Sequence, residues 1–394
     1  MTVHKIDLPQ PSEDAQASSE ALLERIRTEI HTHGGRITFA RFMELALYTP
    51  GLGYYSGGCY KIGAAGDFIT APEISSMFSE GLANQIRQVL ADLTVSGKAS
   101  ILEVGAGSGR MAADLLISLE KHKTLPSQYM ILELSAELKQ RQYETVQRLA
   151  PHLLKKIVWL EHLPDHSFCG VVVANELLDA MPVHKFMVHE RKIREHYVTW
   201  AGDRLAWVLG DMSLPDIEPR LAAFQTDFVE GYTSEVNFAT SAWVNTMGGL
   251  LKRGMILMID YGYPRHEYYH SQRISGTLRC HYQHRAHDDP FLYPGLQDIT
   301  AHVDFTALAE SAFESDLTIA GYTTQAHFLI DCGLGGIAED LYSDDIKQQL
   351  IISQQIKKLT LPSEMGEIVK VMALTRDYPE PLVGFRSQDM RAKL

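Results

Sequence analysis

The chain has few cysteines, no long apolar run and no excess of positive charge, and each shortage removes a class of protein. Four cysteines occur in 394 residues (Cys59, Cys169, Cys280 and Cys332), none in a C-x-x-C pair. That spacing argues against a disulfide framework and for reduced thiols. Lysine plus arginine number 36 against 49 aspartate plus glutamate, a net charge of −13. A general nucleic-acid binder needs a basic footprint, so nucleic acid is not an expected partner. A cationic substrate drawn by local carboxylates fits the balance. No stretch reaches the roughly 18–20 apolar residues that cross a bilayer, so membrane insertion is not expected. Residues 1–20 show neither a signal core nor an arginine-rich transit pattern. The expected location is cytoplasmic. There is no internal repeat and no low-complexity tract.

What is present is a 45% hydrophobic chain, enough for a large core and an accessory lobe. Residues 1–17, polar with Pro9 and Pro11, are expected to be a disordered leader. Residues 18–33 carry Leu22, Leu23, Ile26 and Ile30 at helical spacing, stopped by Gly34-Gly35. A second helix is expected over 38–48, with Phe39, Phe42, Leu45 and Ala46 on its buried face. Residues 49–72 then form a glycine- and tyrosine-rich loop of a length that is usually functional, followed by a helix over 75–91. Together 18–98 read as an N-terminal helical region with an active-site loop.

From 99 to 182 strand and helix alternate, the pattern of an α/β parallel sheet with helices on both faces. Strands are expected at 100–104, 129–133, 156–160 and 170–174, and helices at 109–122 and 135–149. Past Pro182, segments 185–189, 193–200 and 204–209 read as antiparallel strands, so 183–236 is expected to be an inserted β-rich acceptor lobe. Residues 237–378 resume the sheet domain, with 261–300 irregular. Helix 304–314 and strands 255–260, 317–322 and 368–375 complete it.

The most informative run is Ile101-Leu102-Glu103-Val104-Gly105-Ala106-Gly107-Ser108-Gly109. It is a buried strand turning through E-x-G-x-G-x-G into a helix near Arg110. Glycines there permit tight backbone angles and close approach of a ligand. Two nucleotide ligands use such a turn. A dinucleotide wants G-x-G-x-x-G, with pyrophosphate on the helix N-terminus. Here the third glycine slot holds Arg110. Glu103 would sit poorly beside a pyrophosphate but suits the ammonium of S-adenosylmethionine (SAM). Glu103, Gly105, Gly107 and Gly109 therefore point to SAM rather than NAD; the alternative is an ordinary glycine turn with no ligand.

In open α/β sheets the ligand lies beyond the carboxyl ends of the strands. The second strand ends in Glu133, whose carboxylate suits both ribose hydroxyls; its alternative role is a cap for the helix at Ser135. Trp159-Leu160-Glu161-His162-Leu163 offers an aromatic surface to adenine or simply joins the core. The fourth strand ends in Asn175-Glu176-Leu177-Leu178-Asp179-Ala180-Met181-Pro182. Polar groups at a buried strand end must be paired. Asn175 is a candidate for the methionine end of SAM. Glu176 and Asp179 suit a cationic acceptor, because a guanidinium presents a planar fork of donors to two carboxylates. The alternative is Glu176 beside a helix dipole and Asp179 facing solvent.

Two loop motifs precede helices, Gly66-Asp67-Phe68-Ile69-Thr70-Ala71-Pro72-Glu73 and Asp298-Ile299-Thr300-Ala301-His302-Val303-Asp304-Phe305. Asp67, Thr70 and Glu73 are candidates on the cofactor side. His302 and Asp304 are candidate proton acceptors, histidine being the side chain that ordinarily titrates near neutrality. Both motifs also suit plain helix caps. Cys280, His281, His284 and His287 match no familiar zinc spacing, and no metal is expected.

These segments together resemble the MidA-like class I methyltransferases. The matching stretches are His33-Gly34-Gly35 with Phe42-Met43, Tyr48-Thr49-Pro50 with Gly53-Tyr54-Tyr55, Gly66 to Glu73, Glu103 to Gly109, Asn175 to Pro182, Asp260-Tyr261-Gly262-Tyr263, Gly276-Thr277-Leu278 and Asp298 to Phe305. The family includes bacterial proteins and a mitochondrial arginine methyltransferase that assists assembly of respiratory complex I. The resemblance implies a Rossmann-like sheet with a family-specific insertion, SAM as cofactor and a protein substrate presenting an arginine. A small-molecule methyltransferase and a SAM-binding assembly chaperone without turnover stay open beside it. So does the oligomeric state, a homodimer included.

Overall fold

The computed structural model describes residues 8–57, 70–95, 97–224 and 228–394. The chain forms two compact units, one of Met1–Phe68, Asp179–Ala239 and Arg265–His302, the other of Ile69–Leu178, Thr240–Pro264 and Val303–Leu394.

The larger unit is built on seven strands: β1 (Ser100–Val104), β2 (Tyr129–Leu132), β3 (Ile157–Leu160), β4 (Phe168–Asn175), β5 (Leu251–Tyr263), β6 (Thr318–Thr324) and β7 (Val369–Arg376). Their order across the sheet is β6-β7-β5-β4-β1-β2-β3, with a short bridge at Val303–Asp304 beside the end of β5. The five central and outer strands on the β3 side run parallel, and β7 is antiparallel to both β5 and β6. The central strands read as unbroken apolar runs because both faces are covered. Val171, Val172 and Val173 have no exposure at all, each burial contributing roughly 1.5–3 kcal/mol. Ile101, Val171, Val173, Leu257 and Val371 share one core with helices Ser76–Thr94 and Arg110–Lys121. The chain leaves β1 toward β2 on one side and returns through β4 on the other. Such a switch point opens a crevice at the carboxyl ends of the two strands. The expected class I sheet is the observed one.

The smaller unit centres on strand Lys192–Ala201, which pairs antiparallel with Arg36–Thr38, His184–His189 and Arg204–Gly210. Thr233–Val236 adds to the far side of His184–His189. Helices Glu13–Thr32 and Phe39–Tyr48 bury Leu22, Ile26, Phe39 and Phe42 in a core that also takes Val198, Leu205 and Ile299. The 183–236 lobe is thus one part of a larger unit. The reason is non-local: a three-residue strand at Arg36 completes its sheet, and residues 265–302 fold with it.

Two further expectations are corrected. The first helix begins at Glu13 rather than 18, because the Ser12 Oγ accepts from the Ala15 N–H at 3.3 Å while Glu13 and Asp14 favour the helix N-terminus. The segment 261–300 is not wholly irregular. Arg279–Tyr282 pairs with Arg285–His287 and Asp298–Thr300 in a small antiparallel sheet that sets Cys280 opposite His287. Among the described residues no helix is long and apolar enough to cross a membrane.

Candidate active site

In the larger unit, β1 leads into Gly105 and Gly109, at φ of 74° and 79°. Packing adds to this at Gly109, where the neighbour is backbone, and less at Gly105, where it is the end of a side chain. A Cβ on Gly105 would lie 2.9 Å from Leu177 Cδ1, and one on Gly109 would lie 2.8 Å from Gln142 Cα. Gly109 caps helix Arg110–Lys121 without a side chain of its own. Ser108 Oγ bonds Glu73 Oε1, so the short helix Ala71–Ile74 is tied to the glycine loop. Thr70 precedes that helix and makes no side-chain cap. Asp67 lies outside the described residues.

Glu103 is 1% exposed, and its Oε2 accepts from the Tyr129 hydroxyl at 2.7 Å. Its Oε1 is buried and has no hydrogen-bond partner among the described residues, and the same holds for Asn175 Oδ1 at the end of β4. Burial pushes the Glu103 carboxyl up to about 7, opposed by the tyrosine bond and assisted by nearby Glu133. Unpartnered buried acceptors are costly, and these two stand at the ends of adjacent strands. They fit the ammonium end of a ligand.

Glu133 accepts from the Ser135 N–H and from Gln142 Nε2, both at 2.9 Å. Burial raises its carboxyl as well, against those bonds. Gln142 escaped the sequence reading, where it looked like one polar residue on an amphipathic helix. It is fully buried. Its Nε2 also reaches the Gly107 carbonyl at 3.2 Å, and its Oε1 accepts from Trp159 Nε1 at 3.0 Å. One amide therefore joins the glycine loop, the β2 carboxylate and the β3 aromatic.

The turn after β4 is held by a second residue absent from the candidate set. Asp260, buried on β5, accepts the Leu177 and Leu178 N–H groups at 3.1 and 2.7 Å on Oδ2, and the Tyr261 N–H at 2.8 Å on Oδ1. These bonds support Glu176 at φ 47°, a left-handed conformation unusual outside glycine. The Glu176 N–H donates to the Ile259 carbonyl at 2.9 Å. Its Oε1 accepts the Ala71 N–H at 3.2 Å.

The units divide between Leu178 and Asp179 and between His302 and Val303. Glu176 and Asp304 therefore belong to the larger unit, Asp179 and His302 to the smaller. Asp304 Oδ1 caps helix Phe305–Glu314 through the Thr306 and Ala307 N–H groups at 3.1 and 3.2 Å. That oxygen has a structural task; His302 and Asp304 stay the candidate proton acceptors. In the smaller unit Asp179 is buried, and its carbonyl accepts the Ala301 N–H at 2.9 Å. Nearby, Tyr55 donates to Asp298 Oδ1 at 2.9 Å and stacks on Tyr48 at 5.6 Å. Burial, then the Asp298 charge, pushes both phenols up. The Cys280 thiol is pushed up by burial, while burial lowers His281 and His287.

Residues 81–323 match the family model of S-adenosyl-L-methionine-dependent methyltransferases designated Methyltransf_28. The chain belongs to this family. It is 30% identical over 373 residues to the mitochondrial protein arginine methyltransferase NDUFAF7 of Mus musculus, covering 86% of this chain and 81% of the relative. The Drosophila melanogaster homologue is 28% identical over 397 residues, covering 93% and 87%. A methyltransferase-type protein of Burkholderia thailandensis, crystallised with S-adenosyl-homocysteine (SAH), superimposes with a TM-score of 0.94 at 43% identity, covering 98% of this chain and all of that one. A native structure from the same organism gives 0.91 at 42%. The MidA-like resemblance holds, and the protein is a SAM-dependent methyltransferase.

The methyltransferase makes a prediction at Glu103. Its raised folded value means that the proton-bound carboxyl contributes stability below about pH 4.5, lost as pH rises through about 7. The ionised form is the one that holds an ammonium. SAH affinity is therefore expected to rise between pH 6 and 8 and to vary less in Glu103→Gln. Calorimetry across that range checks it; an unchanged slope in the variant would remove Glu103 from the ammonium site.

Proposed function

We propose that the methyl acceptor is a protein arginine. The observation that carries this reading is alignment along most of the chain with relatives named protein arginine methyltransferases. SAM, when bound, supplies a methyl group on a positively charged sulfonium. The work left to the chain is positioning, charge placement and exclusion of water. Glu103 Oε1 and Asn175 Oδ1 are the groups for the ammonium and Glu133 for the ribose. In the larger unit Glu176 supplies a carboxylate of the kind that localises charge on a guanidinium and frees a nitrogen lone pair; the smaller unit carries Asp179 and His302. His302 takes the proton. Three free cysteines among the described residues support a reducing location, for which we retain the cytoplasm.

The test is incubation of the enzyme and labelled SAM with soluble protein from cells lacking it, followed by mass spectrometry of the labelled fraction. Methylarginine in discrete proteins is the expected result. Label confined to small metabolites would replace the reading with a small-molecule enzyme, and no label at all would favour the chaperone.

A further inference from the structure

The Gly276-Thr277-Leu278 motif has no part in the chemistry described so far, yet it lies against a fully buried carboxylate. Glu235, on strand Thr233–Val236, has no exposure. It faces Lys185 in register on strand His184–His189 and binds its Nζ at 2.9 Å through Oε1. Its Oε2 accepts both the N–H and the hydroxyl of Thr277, at 2.9 and 3.1 Å. Gly276 makes the niche: a Cβ there would lie 2.4 Å from Glu235 Oε1. His196, close to Lys185, has its ring pushed down to about 4 by burial and then by the lysine charge. It stays neutral, so Lys185 balances the carboxylate.

The direction of the hydrogen bonds is informative. A threonine hydroxyl has one proton and two lone pairs. The carboxylate takes the proton, which leaves the oxygen as an acceptor. That oxygen accepts the His302 N–H at 3.1 Å. One residue earlier, the Ala301 N–H is held by the Asp179 carbonyl at 2.9 Å. The backbone entering His302 is thus pinned at consecutive residues, once by a buried ion pair acting through a hydroxyl. A buried ion pair contributes little net stability against apolar residues of similar size. A niche cut in glycine around it calls for a reason other than stability.

We propose that Lys185 and Glu235, acting through Thr277, form a positioning device for His302. The inference rests on the reading of His302 as the proton acceptor, and a shared failure is separable from its own. Thr277→Val removes the hydroxyl at nearly constant shape, and Thr277→Ser restores it. The ring resonances of His302, assigned with His302→Ala, report its environment without any acceptor. Transfer from labelled SAM to soluble protein of cells lacking the enzyme reports the rate, and calorimetry reports SAH affinity.

Thr277→Val is expected to keep SAH affinity within about twofold, to shift or broaden the His302 resonances, and to lower the transfer rate at saturating SAM by at least about tenfold. Thr277→Ser is expected to restore both the resonances and the rate. Glu235→Gln should resemble Thr277→Val; if it does not fold, the threonine pair still decides. Unchanged His302 resonances in Thr277→Val overturn the proposal. So does a normal rate in Thr277→Val when His302→Ala is inactive, in which case His302 keeps its role. A normal rate in His302→Ala overturns the proton-acceptor reading and the device with it. Failure of serine to restore the resonances and the rate would show that the hydroxyl does not suffice to place His302, and would overturn the proposal.

Discussion

Gly105→Val is expected to abolish SAH binding while the protein stays folded. The position sits at φ 74°, a genuine outlier for a β-branched residue, and holding valine there costs on the order of 1–3 kcal/mol. The new Cβ would also meet Leu177 Cδ1 at 2.9 Å. Leu177 Cδ1 is the far end of a flexible side chain and can turn aside, so the left-handed backbone and a branched side chain beside the ligand carry the effect. The core beneath is untouched: Ile101, Leu102 and the helix face from Met111 to Leu119 remain buried. A domain with roughly 5–15 kcal/mol of stability survives such a local cost. Calorimetry with SAH beside thermal unfolding checks both halves. A folded variant that binds SAH normally would show that the left-handed Gly105 is dispensable. Global unfolding would show that the loop is part of the core.

The sheet was legible in the sequence because its central strands are buried on both faces and so read as plain apolar runs, as at Val171-Val172-Val173. The glycine loop was legible for the same reason that it exists, since residues with side chains are strained there. Tight backbone angles and ligand approach were the expectations, and contact with Leu177 and Gln142 is what the structure adds. The hairpin at 279–287 was not legible, because Gln283-His284 take positive φ without glycine or asparagine, so the usual turn signal is missing. The pairing of Arg36–Thr38 with Lys192–Ala201 joins segments more than 150 residues apart, and no local pattern reports it. At the site, the groups suited to a ligand were visible as polar residues at strand ends. The groups that hold them were not. Gln142 has the appearance of a surface helix residue, and Asp260 that of an ordinary strand terminus.

Glu176→Gln is expected to cost about 30- to 1000-fold in methyl transfer and to leave SAH binding intact. Glu176 Oε1 accepts the Ala71 N–H at 3.2 Å, and a glutamine Oε1 accepts the same bond. Glutamine and glutamate also bear a similar burden at φ 47°, so the substitution removes charge and little else. If that charge localises the positive charge of a guanidinium, its loss is worth on the order of 2–4 kcal/mol. Glu103, Asn175 and Glu133 keep the cofactor groups unaltered, which is why affinity for SAH is expected to hold. The measurements are calorimetry, transfer from labelled SAM to soluble protein of cells lacking the enzyme, and complementation of those cells by the variant. Loss of transfer with loss of complementation places the Glu176 charge in catalysis. Normal transfer by the variant would confine Glu176 to holding helix Ala71–Ile74. Full complementation with no transfer by either variant or wild type would mean that the cell uses this chain as a SAM-binding scaffold, since a scaffold needs the bound cofactor but not the carboxylate charge.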